Sequence, residues 1–410
     1  MGYLVAPGIY GQPDRDEALL IRSDQLKPAR GVYRIAVVEP MDEISYLDHF
    51  ELEVIDHPAE VTIGLDERFA PEGPRPTGEV RAWRTRIDPT KAVNSQGQEV
   101  TDHLKSTDRR FAGGVKKLGK WIGYAEEHAI TLDFGNRVRD AWSRVENEPG
   151  RRLLLVLNGW VEYPYSQTNY AAATAGVELK PPVLEQQRSD GTWETLEPHP
   201  GYPAGLPRTM SVELDPSKLA HPFVVRIRTN MECDWDEAFL AITEPAPTAG
   251  QHALYCSTTL PVMRAWLGAR GYLREVSPDG QPPLLYEYAQ VDPAPFASFR
   301  GRLTRFGEVT ELVARDDDQF AVIGPGDEVK LEFDATALPE LPEGWTRTFV
   351  LRSVGYCKDA DPFTAGSDTV EPLPWKGMPE FPFIDPITER LRDPAYQRYL
   401  DRYQTREIRP

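Results

Sequence analysis

Short runs of alternating apolar and polar residues recur along this chain at roughly ten-residue spacing, closed by Gly, Pro, Asn or Asp, and few folds accept that pattern. A period of two puts successive side chains on opposite faces, so each run reads as a strand with one face to bury. In 31–39, GVYRIAVVE, Val32, Arg34, Ala36 and Val38 fall on one side, and Tyr33, Ile35 and Val37 on the other. Residues 49–58 set Phe50, Leu52 and Val54 against Glu51, Glu53 and Ile55, and 60–65 repeat the period through Val61 and Ile63. These three runs, joined by short turns, predict an antiparallel meander with one wet face.

Further along, 66–128 is rich in Pro, Gly and Arg and reads mostly as loop, with one strand at 80–84. A short strand follows at 131–134 and a helical turn or two at 137–147. RRLLLVLNGWVEY (151–163) is apolar on both sides, which predicts a central strand. Strands at 183–188 and 193–196 flank Ser189-Asp190-Gly191, a two-strand turn, and more follow at 210–214, 223–229 and 238–243. Pro and Gly then concentrate in EPAPTAG (244–250), the expected domain boundary. Beyond it strands are expected at 252–256, 273–276, 310–314, 320–323, 328–333 and 346–354, with Gly324-Pro325-Gly326-Asp327 turning one into the next. At 393–406 Tyr396, Tyr399, Leu400 and Tyr403 recur at helical spacing behind Asp393-Pro394, an N-cap and N1 pair, and predict a short amphipathic helix.

The fold expected from this pattern is mainly β: two antiparallel, jelly-roll-like β-sandwich domains with long loops and a short C-terminal helix. Residues 1–245 would form the first, carrying the loop insertion at 66–128, and 246–410 the second. The 66–128 insertion is expected to order against another surface. Between the last strand and the tail, 355–383 is Pro- and Gly-punctuated yet apolar, carrying Tyr356, Phe363, Val370, Leu373, Trp375, Met378, Phe381 and Phe383. Apolar side chains in such number must be covered, so the run is expected to lie across a sandwich face as a strap. Trp375, Met378, Phe381 and Phe383 are its candidate partner-binding residues.

Charge and cysteine usage narrow the function classes. A formal charge of −18 without a basic run disfavours nucleic acid and anionic membrane as partners. The longest apolar stretch, 153–157, is far below the roughly 20 residues a membrane span needs, so no membrane insertion is expected. Residues 1–10 show neither a basic n-region nor an apolar h-region, so no export signal is expected. Cys233, Cys256 and Cys357 lack metal-site spacing and read as buried apolar thiols, with one pair able to bridge if the protein is exported.

Several constellations could carry a ligand. Asp234, Asp236 and Glu237 bracket Trp235, and oxygen ligands around a rigid turn can hold Ca²⁺. The bland alternative is a strand with Trp235 in the core and the acids in water. Asp359 and Asp361 form a second oxygen-rich loop without EF-hand spacing, read as a cation site or as an Asx-turn network. Trp160, Tyr163 and Tyr165, with Tyr170, cluster where the loop leaves the central strand; with Trp235 they are the candidate ligand-binding aromatics, able to stack on sugar rings or to pack under the strap. The acidic run 316–318 reads as a solvated turn. No HExxH, GxSxG, P-loop or GxGxxG stands in a catalytic context, so no catalytic residue is assigned.

The phrases LKPARGVYRIAVVEPMDEISYLDHFELEVIDHPAEV, LLLVLNGWVEYPYSQTNYAAATAG, VRIRTNMECDWDEAFLA, RFGEVTELV with GPGDEVKLEFDA, and GWTRTFVLRSVGYCKDADPFTAGSDTVEPLPWKGMPEFPF together resemble the C-terminal region of bacterial FG-GAP/VCBS-repeat proteins of the ASPIC/UnbV type. The resemblance spans almost the whole chain. It implies an exported or cell-surface setting beside a β-propeller, which this sequence lacks, and brings no catalytic residues with it. The expected function is a non-catalytic accessory, structural or binding module in a larger bacterial assembly, with a protein partner. The alternatives are a calcium-assisted carbohydrate-binding module, with a glycan as partner, and a polysaccharide hydrolase with converging carboxylates.

Overall fold

The computed structural model of the chain describes residues 16–70, 73, 76, 78–203, 205–245, 254–292, 299–360, 363, 366–378 and 387–409. With 47% of residues in strands and 11% in helices it is mainly β, as the alternating pattern demands. In chain order the strands are β1 (Asp16–Ile21), β2 (Val32–Val38), β3 (Glu43–Pro58), β4 (Thr62–Gly64), β5 (Arg81–Ile87), β6 (Lys91–Val93), β7 (Tyr124–Gly135), β8 (Leu153–Glu162), β9 (Val183–Gln187), β10 (Trp193–Glu197), β11 (Arg208–Leu214), β12 (Phe223–Thr243), β13 (Cys256–Pro261), β14 (Arg264–Ala269), β15 (Tyr272–Val276), β16 (Leu285–Asp292), β17 (Gly301–Leu303), β18 (Gly307–Glu308), β19 (Ala321–Ile323), β20 (Asp327–Asp334), β21 (Trp345–Asp359) and β22 (Arg406–Ile408). The helices are α1 (Arg137–Trp142), α2 (Ser166–Thr174), α3 (Thr310–Val313), α4 (Ile387–Arg392) and α5 (Pro394–Tyr403). None of the described helices is long and apolar enough to cross a membrane.

The strands form two compact units. One is continuous, Pro58–Tyr255; the other joins Met1–His57 to Cys256–Pro410. The division expected at 245/246 lies near the second crossing, but residues 1–57 belong with the C-terminal part. β1 pairs with β21, Asp16 opposite Val354, and β2 with β20, Val32 opposite Asp334. β3 pairs with β13, Asp56 opposite Cys256. The expected meander therefore does not form: β2, β3 and β4 lie in three different sheets. Alternation reports that a segment is a strand and which face it buries; it says nothing of the partner.

The continuous unit is organised by β12, 21 residues long. Its first half lies between β7 and β9 and its second half pairs with β8 and β5. β6 extends one side, β10 another, and β11 and β4 complete the nine strands. The two halves of β12 thus belong to two sheet regions with one core between them. Leu132, Phe134, Leu184, Phe223, Val225 and Ile227 come from the first half; Leu153, Leu155, Leu157, Met210, Val212 and Leu240 come from the second. β8 has a partner on each side, as its all-apolar sequence predicts. The hairpin at Asp190-Gly191 joins β9 to β10, with Gly191 at φ +83 as its turn requires. Residues 66–128 hold more strand than expected: β6 and the start of β7 join the expected β5.

The discontinuous unit has a five-stranded sheet, β1-β21-β3-β13 with β19 also on β3, and a four-stranded sheet, β18-β14-β20-β2. Their inner faces share a core in which Phe50, Leu52, Phe349 and Leu351 meet Tyr33, Leu267, Leu331 and Phe333. The Tyr33 and Phe349 rings meet edge to face at 5.0 Å. Each buried Phe contributes about 1.5–3 kcal/mol, so this sandwich is held chiefly by aromatic and aliphatic burial. Three further expectations change here. Residues 310–314 hold the helical turn α3 rather than a strand. The turn at 324–327 links β19 to β20, but these lie in different sheets, so it is a crossing between layers. Residues 355–359 continue β21, so the strap begins after Asp359.

The C-terminal helix forms as expected in α5: Asp393 accepts the Ala395 N–H at 2.8 Å, Pro394 occupies the first turn, and Tyr396, Tyr399, Leu400 and Tyr403 enter the core. Past Tyr403 the chain turns to strand and β22 pairs with β17. In the same unit a Cβ added at Gly355 would stand 2.4 Å from the Tyr46 carbonyl oxygen, whereas one at Gly268 meets nothing within 4 Å. Gly355→Ala is therefore expected to lower unfolding stability by about 1–3 kcal/mol and Gly268→Ala to stay within about 0.5 kcal/mol, read from urea denaturation midpoints.

Candidate functional site

Three places in the two units concentrate chemistry-bearing side chains. The first is the outer face of the β8–β12 ladder in the continuous unit. Across it Glu232 stands opposite Glu162 and Asp234 opposite Trp160. Val161, Cys233 and Trp235 point the other way, into the core. A bulge between Trp235 and Glu237 shifts the phase by one residue, so Trp235 and Ala238 can both face inward while Glu237 stays outside. The Lys117 ammonium binds the Glu232 carboxylate at 2.7 Å and lies 5.9 Å from the centre of the Trp160 ring. Burial pushes the Asp234 carboxyl up to about 6, Lys117 opposing the rise and Glu232 adding to it. Glu162 is raised by burial and then by Glu232.

The acids of DWDE therefore have separate partners. Asp236 accepts the Arg109 N–H at 3.0 Å, Glu237 takes Arg86 at 2.6 Å, and Asp234 faces Trp160. Trp235, a candidate ligand aromatic, is 4% exposed within the core. Tyr163 packs edge-on against Phe69 and Tyr202 at 6.4 and 6.5 Å. Tyr165 and Tyr170 are exposed, and Trp160 is buried.

The second place is in the discontinuous unit, where β3 and β21 bring Glu43, Cys357 and Asp359 together. Among the described residues these three alone form a set of metal-ligating side chains with donor atoms within 4.8 Å of one another. Asp359 was expected as a calcium ligand, yet its neighbours include a thiol, whereas Ca²⁺ takes oxygens; carboxylates with a thiolate suit a borderline cation such as Zn²⁺. Asp361, its expected companion, lies outside the described residues. Burial pushes Glu43 well above the usual carboxylate range, with Glu39 and Asp359 adding to it, and lifts the Cys357 thiol. Burial also pushes Glu39 up to about 7, against hydrogen bonds from Ser45 and Met41. Of the three thiols, Cys233 and Cys357 are buried as expected and Cys256 is exposed. Sequence reading missed Glu43 because Cys357 and Asp359 come from a strand more than three hundred residues away. The usable signal is two acidic runs, EPMDE leading into β3 and CKD closing β21, two strands that pair.

The third place is the strap. Tyr46 donates to the Val370 carbonyl at 2.5 Å, Tyr356 to the Trp375 carbonyl at 3.1 Å, and the buried Lys358 ammonium to the carbonyls of Gly366 and Thr369. Burial lowers Lys358 to about 8, with Glu371 and Asp368 opposing. Val370, Leu373 and Met378 enter the core, so Met378 is a packing residue and not an exposed partner contact. Phe381 and Phe383 lie outside the described residues. Trp375 lines a cavity of about 420 Å³ with Leu373, Leu391, Tyr396 and Leu400, edged by Arg302, Glu371 and Arg390. Arg302 pairs with Glu371 at 3.3 Å, and Arg390 stacks over Tyr396 at 4.4 Å while donating to the Asp318 carbonyl. The acidic turn at 316–318 is correspondingly anchored: the Asp48 carboxylate accepts the N–H groups of Asp317 and Asp318, and Lys376 pairs with Asp316 at 2.6 Å.

A scan against protein-family models and searches of curated proteins and of solved structures find no match to the chain. The placement of Glu39 has a measurable consequence. Folding raises its pKa above the 4.5 of an exposed glutamate, so the folded chain holds a proton that the unfolded chain releases. Its contribution is full below about pH 4.5 and is lost as pH rises through about 7. Glu39→Gln should accordingly lose less stability than the native chain between these pH values, by on the order of 2 kcal/mol in urea titrations; parallel pH profiles would refute the assignment.

Proposed function

We propose that this protein is a non-catalytic binding module, a subunit or surface component of a larger bacterial assembly, and that it engages its protein partner at the strap cavity. The observation that carries this reading is the cavity of about 420 Å³ whose wall includes Trp375, Leu391, Tyr396 and Leu400. Its size suits an aromatic or branched aliphatic side chain, the apolar wall supplying contact area and the edge groups fixing orientation. The strap is tied to its own sandwich by Tyr46, Tyr356 and Lys358, so its segment of the wall needs little ordering when the cavity fills. The resemblance to the C-terminal region of ASPIC/UnbV-type proteins supports the same reading, since such a region accompanies a larger surface-associated architecture.

Leu391 provides the test, because it lines the cavity while 44% exposed, and a change there spares the core. Leu391→Arg should leave the unfolding midpoint unchanged and weaken capture of a stoichiometric partner from the native envelope fraction about ten-fold or more. Equal recovery of the same species by native chain and variant would remove the strap from the reading.

A further inference from the structure

We propose that the outer face of the β8–β12 ladder is a second, independent site, which binds a neutral hydroxyl-rich ligand, a saccharide, between Trp160, Glu162 and Asp234. This face holds an orphan donor. Trp160 is only 3% exposed, and its indole N–H has no hydrogen-bond acceptor among the described residues. A buried donor without a partner is unfavourable and calls for an acceptor that arrives with a ligand. Its surroundings restrict what that ligand can be. Asp234 stands directly across the ladder from Trp160 and Glu162 two residues along, so the indole and both carboxyl groups share one face. Lys117, paired with Glu232, covers the same ring.

Charge decides between ligand classes. An anion would meet Glu162, Glu232 and Asp234; a metal ion would meet the Lys117 ammonium and the positive end of the indole N–H. A hydroxyl group suits both sides: it accepts from the indole and donates to a carboxylate, and adjacent hydroxyls on one ring can do both at once. The rim has the matching chemistry. Tyr165 is 54% and Tyr170 61% exposed, and Ile122 is 51% exposed on the facing loop. That loop abuts the start of α2: a Cβ on Gly123 would lie 2.4 Å from the Pro164 nitrogen, and Tyr124 donates to Asn169 at 2.8 Å. Flat aromatic rings beside hydrogen-bonding carboxylates offer a sugar both a stacking surface and directional contacts.

The test uses the full chain. Its nine tryptophans give nine indole N–H resonances in a ¹⁵N correlation spectrum, and the one lost in Trp160→Phe is assigned to Trp160. Glucose, galactose, mannose, N-acetylglucosamine and their β-linked tetrasaccharides are titrated to about 50 mM, the range of weak monovalent binding. At least one probe should shift this resonance saturably, and Asp234→Asn should weaken that probe about ten-fold while the unfolding midpoint holds. Calorimetry with the same probes on the native chain and on Asp234→Asn answers without the assignment, should Trp160→Phe not fold. A resonance unmoved by every probe, or binding unaltered in both Asp234→Asn and Glu162→Gln, would overturn the proposal and leave Trp160 hydrated by an ordered water.

Discussion

Every backbone N–H and C=O along the 21 residues of β12 must find a partner on both edges, and the continuous unit is laid out to meet that demand. β7 and β9 serve the first half, β8 and β5 the second. Between the reach of β7 and that of β5 an irregular segment takes over: Ala112 donates to the Trp235 carbonyl at 2.8 Å and Lys105 bridges to Glu237. The bulge at Asp236 falls within this stretch and brings Asp234 and Trp160 into register on the outside while Trp235 fills the core. Ladder, core and carboxylate face thus follow from how one strand is paired.

The two carboxylate groupings solve the cost of burying acids differently. On β12 a cation is supplied: Lys117 for Glu232, Arg86 for Glu237. Around Glu39 and Glu43 burial and neighbouring carboxylates favour the neutral form, opposed at Glu39 by its hydrogen bonds, so protons do the neutralising. The first arrangement is balanced by cations; the second is closed and sensitive to proton concentration.

Much of this was readable from residues alone. Period-two alternation located β2, β3 and β21, a run apolar on both sides located β8, and the Asp393-Pro394 pair located α5, because these signals depend on neighbours in sequence. Trp160 and Asp234 were visible as an aromatic and an acid on strand-like segments. What stayed hidden depended on distance along the chain: that β1 to β3 serve the C-terminal sheets, that Glu43 meets Cys357 and Asp359, and that DWDE splits across a bulge. The element at 310–314 was misread because a four-residue turn of Thr, Glu, Leu and Val carries no period long enough to separate helix from strand.

The pairing of Asp56 with Cys256 places the exit from β3 and the return through β13 side by side on one sheet. In effect, the whole stretch between them replaces the turn of a β-hairpin. On a ribosome the stretch 58–255 is complete before β13 emerges, so it can fold as a unit while β1, β2 and β3 still lack the strands they pair with. Until then the edges of β1 to β3 are open backbone, the kind of surface that chaperones cover. The order of biosynthesis therefore makes β1 to β3, translated ahead of their partners, among the last strands of their unit to be secured.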